Sequence, residues 1–441
     1  MASIAKRIPR TSIGLRTPEV FTPLYFEPTT TLRFRLNPRL SPGASIFTPI
    51  RFFSTPGCKF SKEEPRSFPT NGFENLPVEI PVAEEQISDY DPRRYYPVHI
   101  GEIFEDRFQV RAKLGWGSCS TTWLARDMRD KKYVALKVYI HNSVFHRELP
   151  FYEHIASYIS SSSHVGRENI RKFHESFTIA GPDGKHIVLV QEPALMGVFD
   201  FQKGLQDKRF GEEMVKMILV EVLQALDFLH TECEAIHADV HPGNFLACAD
   251  EDQNDIFQVM DDHEMEAPSD RKQVSGNRTI YASRALIPQE GPLRLSDFGE
   301  SRIGPGPYKY NALPMVYRAP EIMIGVPWSY PIDIWCVGIA SAGDLCEATH
   351  LAEIISLLGP PPAKFLALNP RIAADFWDES VVSPGKWKGI VPIPENPVIE
   401  SMEGQMGLPL SFVKFLRRAL TWMPSERATA RELLDDPWLK D

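Results

Sequence analysis

At 441 residues, 43% hydrophobic and 24% charged, the chain is long enough for two associated lobes and a tail, with the composition of a folded protein. The formal charge is -10, yet residues 1–60 hold nine Lys/Arg against two Asp/Glu, which leaves -17 on the remainder. That acidic balance argues against direct nucleic-acid binding by the folded part and favours basic partners. The absence of an uncharged apolar run of eighteen residues argues against a membrane span.

Residues 1–92 are rich in Pro, Thr, Ser and Arg, lack sustained periodicity, and read as a disordered leader. Within it, Arg51-Phe52-Phe53-Ser54 resembles a mitochondrial presequence cleavage site, with a non-targeting basic tail as the alternative. The six cysteines show neither Cys-x-x-Cys pairs nor histidines at zinc-finger spacing, so they read as free thiols of a reducing, intracellular compartment. From Tyr95 the texture changes to short alternating strands up to about Val190, then to long helical patterns from about Glu212. The expected fold is α+β and bilobal, with a β-rich lobe over residues 93–196 and a helical lobe over 197–441 that carries an acidic insert at about 249–292. In the first long helix Val215, Leu219, Val222, Leu226 and Leu229 recur at three- and four-residue steps and predict one buried face. Thr429-Ala430-Arg431-Glu432 reads as a capping box opening the last helix.

In Leu114-Gly115-Trp116-Gly117-Ser118-Cys119-Ser120, two glycines sit between strand-like flanks, where missing side chains let backbone N–H groups approach phosphate oxygens. Downstream, Val134, Leu136 and Val138 alternate with Ala135 and Lys137, so that the small Ala135 and the cationic Lys137 share the face turned to a nucleotide. Lys137 needs a carboxylate to hold it. Glu148 is favoured, because Phe151, Tyr152 and Ile155 are spaced to pack its helix and Pro150 is tolerated only if Glu148 lies in the first turn; Glu153 is the alternative.

Ile236-His237-Ala238-Asp239-Val240-His241-Pro242-Gly243-Asn244 is a dense polar loop in which Asp239 is placed to accept a hydroxyl proton and Asn244 to bind Mg²⁺. A metal site on His237 and His241 is disfavoured, because Pro242 and Gly243 interrupt any helix and no third ligand is evident. The strand Leu293-Arg294-Leu295 ends in Ser296-Asp297-Phe298-Gly299, which suits Asp297 to a magnesium ion between phosphates.

This ordered set resembles the eukaryotic protein-kinase superfamily over roughly residues 101–441, with Ala319-Pro320-Glu321, Asp333-Ile334-Trp335 and Arg427 matching its helical-lobe elements. The resemblance implies ATP and Mg²⁺ as cofactors and a protein hydroxyl as acceptor. It also implies a Glu321–Arg427 pair, Asp333 on the catalytic-loop backbone, and Thr122 and Glu192 beside Leu114, Gly115, Gly117, Ser120 and Ala135 in the nucleotide contacts. Gly115-Trp116-Gly117 with Ser120, Trp123-Leu124-Ala125, Leu229-His230-Thr231 and Tyr317-Arg318-Ala319-Pro320 look like the serine/arginine-rich protein kinases. That likeness implies arginine/serine-rich protein substrates and a cytoplasmic or nuclear site of action, against the mitochondrial reading of the leader. A monomer is the expected state.

Four departures qualify the match. Ala238 stands where many kinases carry an arginine that pairs with an activation-loop phosphate, which implies activity without such phosphorylation. His241 replaces the usual catalytic-loop lysine, and Pro314 the threonine that contacts it, which implies a low or pH-sensitive rate. The loop also resembles aminoglycoside- and choline-kinase-like small-molecule phosphotransferases, though these lack the Glu321 and Arg427 elements; a pseudokinase scaffold is the non-enzyme alternative. Finally, the segment between Trp335 and His350 looks truncated, which implies altered substrate docking.

Overall fold

β-Branched and aromatic residues at every second position suit a pleated surface, and the computed structural model forms Lys132–Tyr139 into a central strand. The structure describes residues 63–141, 147–205, 209–249, 255–274, 278–288, 291–309, 312–342, 350–378, 385–395, 399–401 and 408–441. In the small lobe, β1 (Ile103–Phe104), β2 (Phe108–Gly117), β3 (Ser120–Asp127), β4 (Lys132–Tyr139), β5 (Phe173–Ala180) and β6 (Lys185–Gln191) form one antiparallel sheet in the order β1-β2-β3-β4-β6-β5. Helix α1 (Glu148–Ser161) starts at Glu148, as Pro150 requires, and buries Phe151, Tyr152 and Ile155.

The chain crosses to the large lobe through β7 (Ala194–Gly197) and α2 (Val198–Gly204) into α3 (Glu212–Thr231). The stripe foreseen on α3 is buried in the main core with α6 (Pro331–Ala342), α7 (His350–Leu358) and Trp335. Strand β8 (Ala235–Ile236) precedes the polar loop, and β9 (Phe245–Cys248) follows it and pairs with β7 on one side and β12 (Leu293–Leu295) on the other. Strand β13 (Arg302–Ile303) returns to pair with β8. Beyond a short α5 (Pro320–Met323), the lobe closes with α8 (Ala363–Leu366), α9 (Pro370–Phe376), α10 (Leu410–Ala419), α11 (Ala430–Leu434) and α12 (Pro437–Lys440). The capping box on Thr429 and Glu432 is formed as its sequence indicates. Residues 343–349 of the shortened segment lie outside the described residues.

Two expectations are corrected by the small lobe. Residues 1–62 of the leader lie outside the described residues, but residues 63–92 are not a disordered tail; they run along the sheet as a strap. The Glu63 N–H donates to the Met128 carbonyl at 3.0 Å, and Arg66 exchanges backbone bonds with the Gln109 side chain at 2.9 and 2.8 Å. Glu84 forms a buried ion pair with Lys113 of β2.

The acidic insert, assigned by sequence order to the helical lobe, folds onto the small one. Its helix α4 (Asp255–Glu266) sends Phe257 and Met260 into a cluster with Ala112, Leu124 and Tyr133, and Asp261 accepts from the Tyr133 hydroxyl at 2.7 Å. The hairpin β10 (Arg271–Gln273) and β11 (Thr279–Tyr281) then grips the strap through Lys272 to Glu85 at 2.8 Å, and α4 holds it separately through Asp262 to Arg66 at 2.7 Å. Apolar residues and complementary charges on all three pieces make this packing favourable, since a buried Lys113 or Arg111 without a carboxylate partner would carry a large desolvation cost.

Candidate active site

The antiparallel register of β2, β3 and β4 determines which residues line the gap between lobes. Gly115 lies opposite Thr122, Thr122 opposite Lys137, and Leu124 opposite Ala135, which brings the predicted nucleotide contacts onto one patch. Leu114 is partly buried against the cluster beneath β3, and Ser120 is buried in β3. A Cβ built on Gly115 or Gly117 would meet no atom within 4 Å, so no packing within the described chain demands glycine there.

Lys137 is the hinge of the site. Its Nζ donates to Glu148 Oε2 at 2.6 Å and to Asp297 Oδ1 at 3.0 Å, joining β4, α1 and the turn after β12. The choice between Glu148 and Glu153 is thereby decided, since Glu153 is exposed. Burial opposes the ammonium charge, but the Asp297 and Glu148 carboxylates outweigh it and hold the lysine above its ordinary range. Lys137 in turn lowers the Asp297 carboxyl below its ordinary value and keeps it ionised. Glu148 is further fixed by the Tyr139 hydroxyl and by Gln191 Nε2 at 3.1 Å, two partners that no local motif signals. Phe298 stacks on Phe151 at 4.7 Å between centroids and meets Tyr152 edge-on, so the residue after Asp297 packs against the helix that carries Glu148.

The polar loop is held from below. Asp333 at the start of α6, fully buried, accepts from the backbone N–H groups of His237 at 2.9 Å and Ala238 at 2.8 Å, and from His230 Nε2 at 2.9 Å. Ala238 adopts a left-handed φ of 61°, which costs a non-glycine residue about 1–2 kcal/mol and which the two charge-assisted bonds offset. Within the loop Asn244 Nδ2 donates to the Asp239 carbonyl at 2.9 Å and faces its Oδ2 at 3.3 Å, whereas the buried Asp239 Oδ1 has no hydrogen-bond partner. His241 Nε2 lies 3.7 Å from Asp239 Oδ2, beyond hydrogen-bond range. His237 is buried, with Nε2 bonded to the Ser296 carbonyl at 3.1 Å and Nδ1 accepting from the Asp239 N–H at 3.2 Å, so both of its ring nitrogens are engaged within the chain.

Glu192, just after β6, has its carboxylate 3.4 Å from Arg294 of β12, and its carbonyl accepts from Arg171 Nε at 3.0 Å. Glu321 and Arg427 form a buried bidentate pair with both bonds at 2.6 Å, as the resemblance implied.

The protein kinase domain family model matches residues 108–263. A serine/threonine protein kinase of Aspergillus fumigatus is 37% identical over 397 residues, covering 85% of this chain and 95% of that protein. This chain belongs to the protein kinase family. Another relative, the serine/threonine-protein kinase SRPK of Physarum polycephalum, is 28% identical over 81% of this chain and 92% of that protein. A crystal structure of a kinase domain, 22% identical, shares the fold with a TM-score of 0.57 and covers 79% of this chain and all of that one.

As a serine/threonine protein kinase the chain uses ATP and acts on protein substrates. No helix among the described residues is long and apolar enough to cross a membrane. The kinase also carries functional neighbours that sequence reasoning missed. Tyr95 sends its hydroxyl to the carbonyls of Gly117 and Ser118 at 3.1 and 3.0 Å, so a residue just beyond the strap holds the tip of the glycine loop. Glu300 pairs with Arg147 at 3.1 Å and lies 3.6 Å from Arg302.

Proposed function

We propose that the kinase transfers the ATP γ-phosphoryl group to serines flanked by arginines, with Asp239 as base and Asn244 and Asp297 as magnesium ligands. The observation that carries this reading is the arrangement around Asp239, a part-buried carboxylate whose Oδ1 lacks a hydrogen-bond partner in the structure while Asn244 holds its other side. An unpartnered buried oxygen is costly unless a ligand uses it, and an acceptor hydroxyl is the group that donates there.

The donor set fits a hard cation. Asn244 spends its amide nitrogen on Asp239, which leaves Oδ1 for a metal, and Asp297 has one oxygen on Lys137 and one to spare. Two oxygen donors suit Mg²⁺, which completes its shell with phosphates and water. When bound, the ion neutralises charge on the phosphates; Lys137 binds and orients them, and Asp239 takes the hydroxyl proton.

Arginine-flanked serines are supported by charge and by kinship. The chain outside residues 1–60 carries a formal -17, and one relative, SRSF protein kinase 3 of Mus musculus, is 36% identical over 37% of this chain. The test is ATP/Mg²⁺ phosphorylation of an arginine-serine peptide beside acidic and proline-directed peptides, choline and an aminoglycoside, with Asp239→Asn and Lys137→Met alongside. Preferred labelling of the arginine-serine peptide by the wild type and neither variant supports the reading. Labelling of a small alcohol in preference to every peptide, or nucleotide binding without turnover, would remove it.

A further inference from the structure

Helix α1 meets the sheet through more than its ion pair with Lys137. Alternation along β4 places Ala135, Lys137 and Tyr139 on one face, and the β4–β6 register sets Gln191 opposite Ala135 on that same face. Gln191 ends the apolar run Ile187, Val188, Leu189 and Val190 with a fully buried amide. Its Nε2 donates to Glu148 Oε1 at 3.1 Å and to the Tyr152 hydroxyl at 3.2 Å, while its Oε1 has no hydrogen-bond partner. The carboxylate fixes the orientation of the amide, since the flipped form would set oxygen against oxygen. Burying an unpaired amide oxygen is unfavourable, and the two bonds from Nε2 offset it.

Glu148 and Tyr152 are four residues apart on α1 and so lie on one face of successive turns. A single amide therefore grips the helix at two levels, which resists both its rotation and its sliding along the sheet. The Glu148 carboxylate is divided among its partners: Gln191 takes Oε1, and Lys137 and the Tyr139 hydroxyl take Oε2. Lys137 has a second duty at Asp297, 3.0 Å away.

We propose that Gln191 and Tyr139 are positioning residues that clasp α1 to the sheet and keep Glu148 in place independently of Lys137. The lysine is then able to turn to a phosphate while the helix stays docked, because the carboxylate retains donors on both oxygens. The effect on turnover rests on the reading of Lys137 as the residue that orients the phosphates; the effect on the helix does not.

The test reads the helix first. In hydrogen–deuterium exchange of the full-length protein without nucleotide, Lys137→Met should leave the α1 amides within about twofold of the wild type. The double variant Tyr139→Phe/Gln191→Met should speed their exchange about tenfold or more, the scale of losing hydrogen bonds to a buried charge, with α3 as internal reference. Lys137→Met loosening α1 as far as the double variant, or the double variant leaving α1 protected, overturns the proposal. Should α3 loosen as well, single variants decide. Gln191→Glu keeps the size and shape of the side chain but sets a carboxylate against Glu148, so it should loosen α1 further than Gln191→Met. A packing role predicts the reverse order, and Gln191→Glu no looser than Gln191→Met overturns the clasp. In turnover, Gln191→Met should lower kcat about three- to tenfold, the weight of one hydrogen bond, with the peptide KM unaltered. The expected exchange pattern in a chain that labels no peptide supports the clasp and counts against the proposed reaction instead.

Discussion

Arg147, the residue just before α1, donates to Glu300 at 3.1 Å and so ties that helix to the turn after Asp297. The two ends of this pair are adjacent in sequence to Glu148 and to the Asp297 turn of the Lys137–Glu148–Asp297 network. Both side chains are more than a third exposed, so the pair contributes under about 1 kcal/mol to stability. Its leverage is on the placement of Glu148. Glu300→Ala should leave the melting temperature within a degree or two while lowering kcat/KM about three- to fivefold, and phosphatase treatment should leave wild-type turnover unchanged. An intact kcat/KM in the variant, or a large loss after phosphatase, would show that the segment is held by other means.

Glu321 and Arg427 are buried with both bonds at 2.6 Å, and Arg427 also donates to the Thr421 and Pro331 carbonyls. Removing one partner strands a charge in the core. Arg427→Met should destabilise the large lobe by about 3–5 kcal/mol in denaturant unfolding, and adding Glu321→Leu should recover a substantial part of that loss. A single variant as stable as the wild type would contradict the pairing.

Tyr95 is buried, and its hydroxyl serves two carbonyls at the tip of the glycine loop. Tyr95→Phe keeps the packing and deletes only the donor, freeing the tip at a cost of about 1 kcal/mol of loop order. The KM for ATP should rise about fivefold, with the peptide KM unaltered. Calorimetric titration with a non-hydrolysable ATP analogue checks this directly, and identical affinities would dismiss the tether.

His350 opens α7 fully buried, with Nε2–H donated to the Arg318 carbonyl at 2.7 Å and Nδ1 lacking a hydrogen-bond partner. Burial, with the Arg318 charge adding to it, pushes its pKa down to about 4 from 6.5. Above pH 6.5 the ring is neutral in both folded and unfolded chains. As the pH falls the unfolded chain takes up the proton first, so stability declines from about pH 6.5 and levels off below about pH 4, by up to about 3 kcal/mol. His350→Gln should flatten that part of the stability profile, and an unchanged slope would assign the acid sensitivity elsewhere.

The geometry of the candidate site was legible because each part lies in a short segment. Strand alternation put Ala135 and Lys137 on one face, Pro150 forced Glu148 into the first turn of α1, and the loop around Asp239 and Asn244 is continuous. What escaped notice is carried by single side chains docking across long stretches of sequence. Arg66 meets Asp262 from 196 residues away and Glu192 meets Arg294 from 102, and such pairings leave no local periodicity. The strap over residues 63–92 is proline-containing and aperiodic, so nothing in its own pattern announced a partner. The insert misled because its position after the polar loop suggested the helical lobe, whereas Asp261 of α4 faces Arg111 and Tyr133 of the small-lobe sheet.

The strap and the insert make the small lobe a composite of three stretches of polypeptide, and the family match at 108–263 begins after one of them and stops inside α4. A fragment trimmed to those limits would lose Glu84 from Lys113 and the hairpin that pins the strap, leaving a buried ammonium stranded on the strand that leads into the glycine loop. A stable small lobe therefore has to include the strap from Glu63, upstream of the residues that the family model matches.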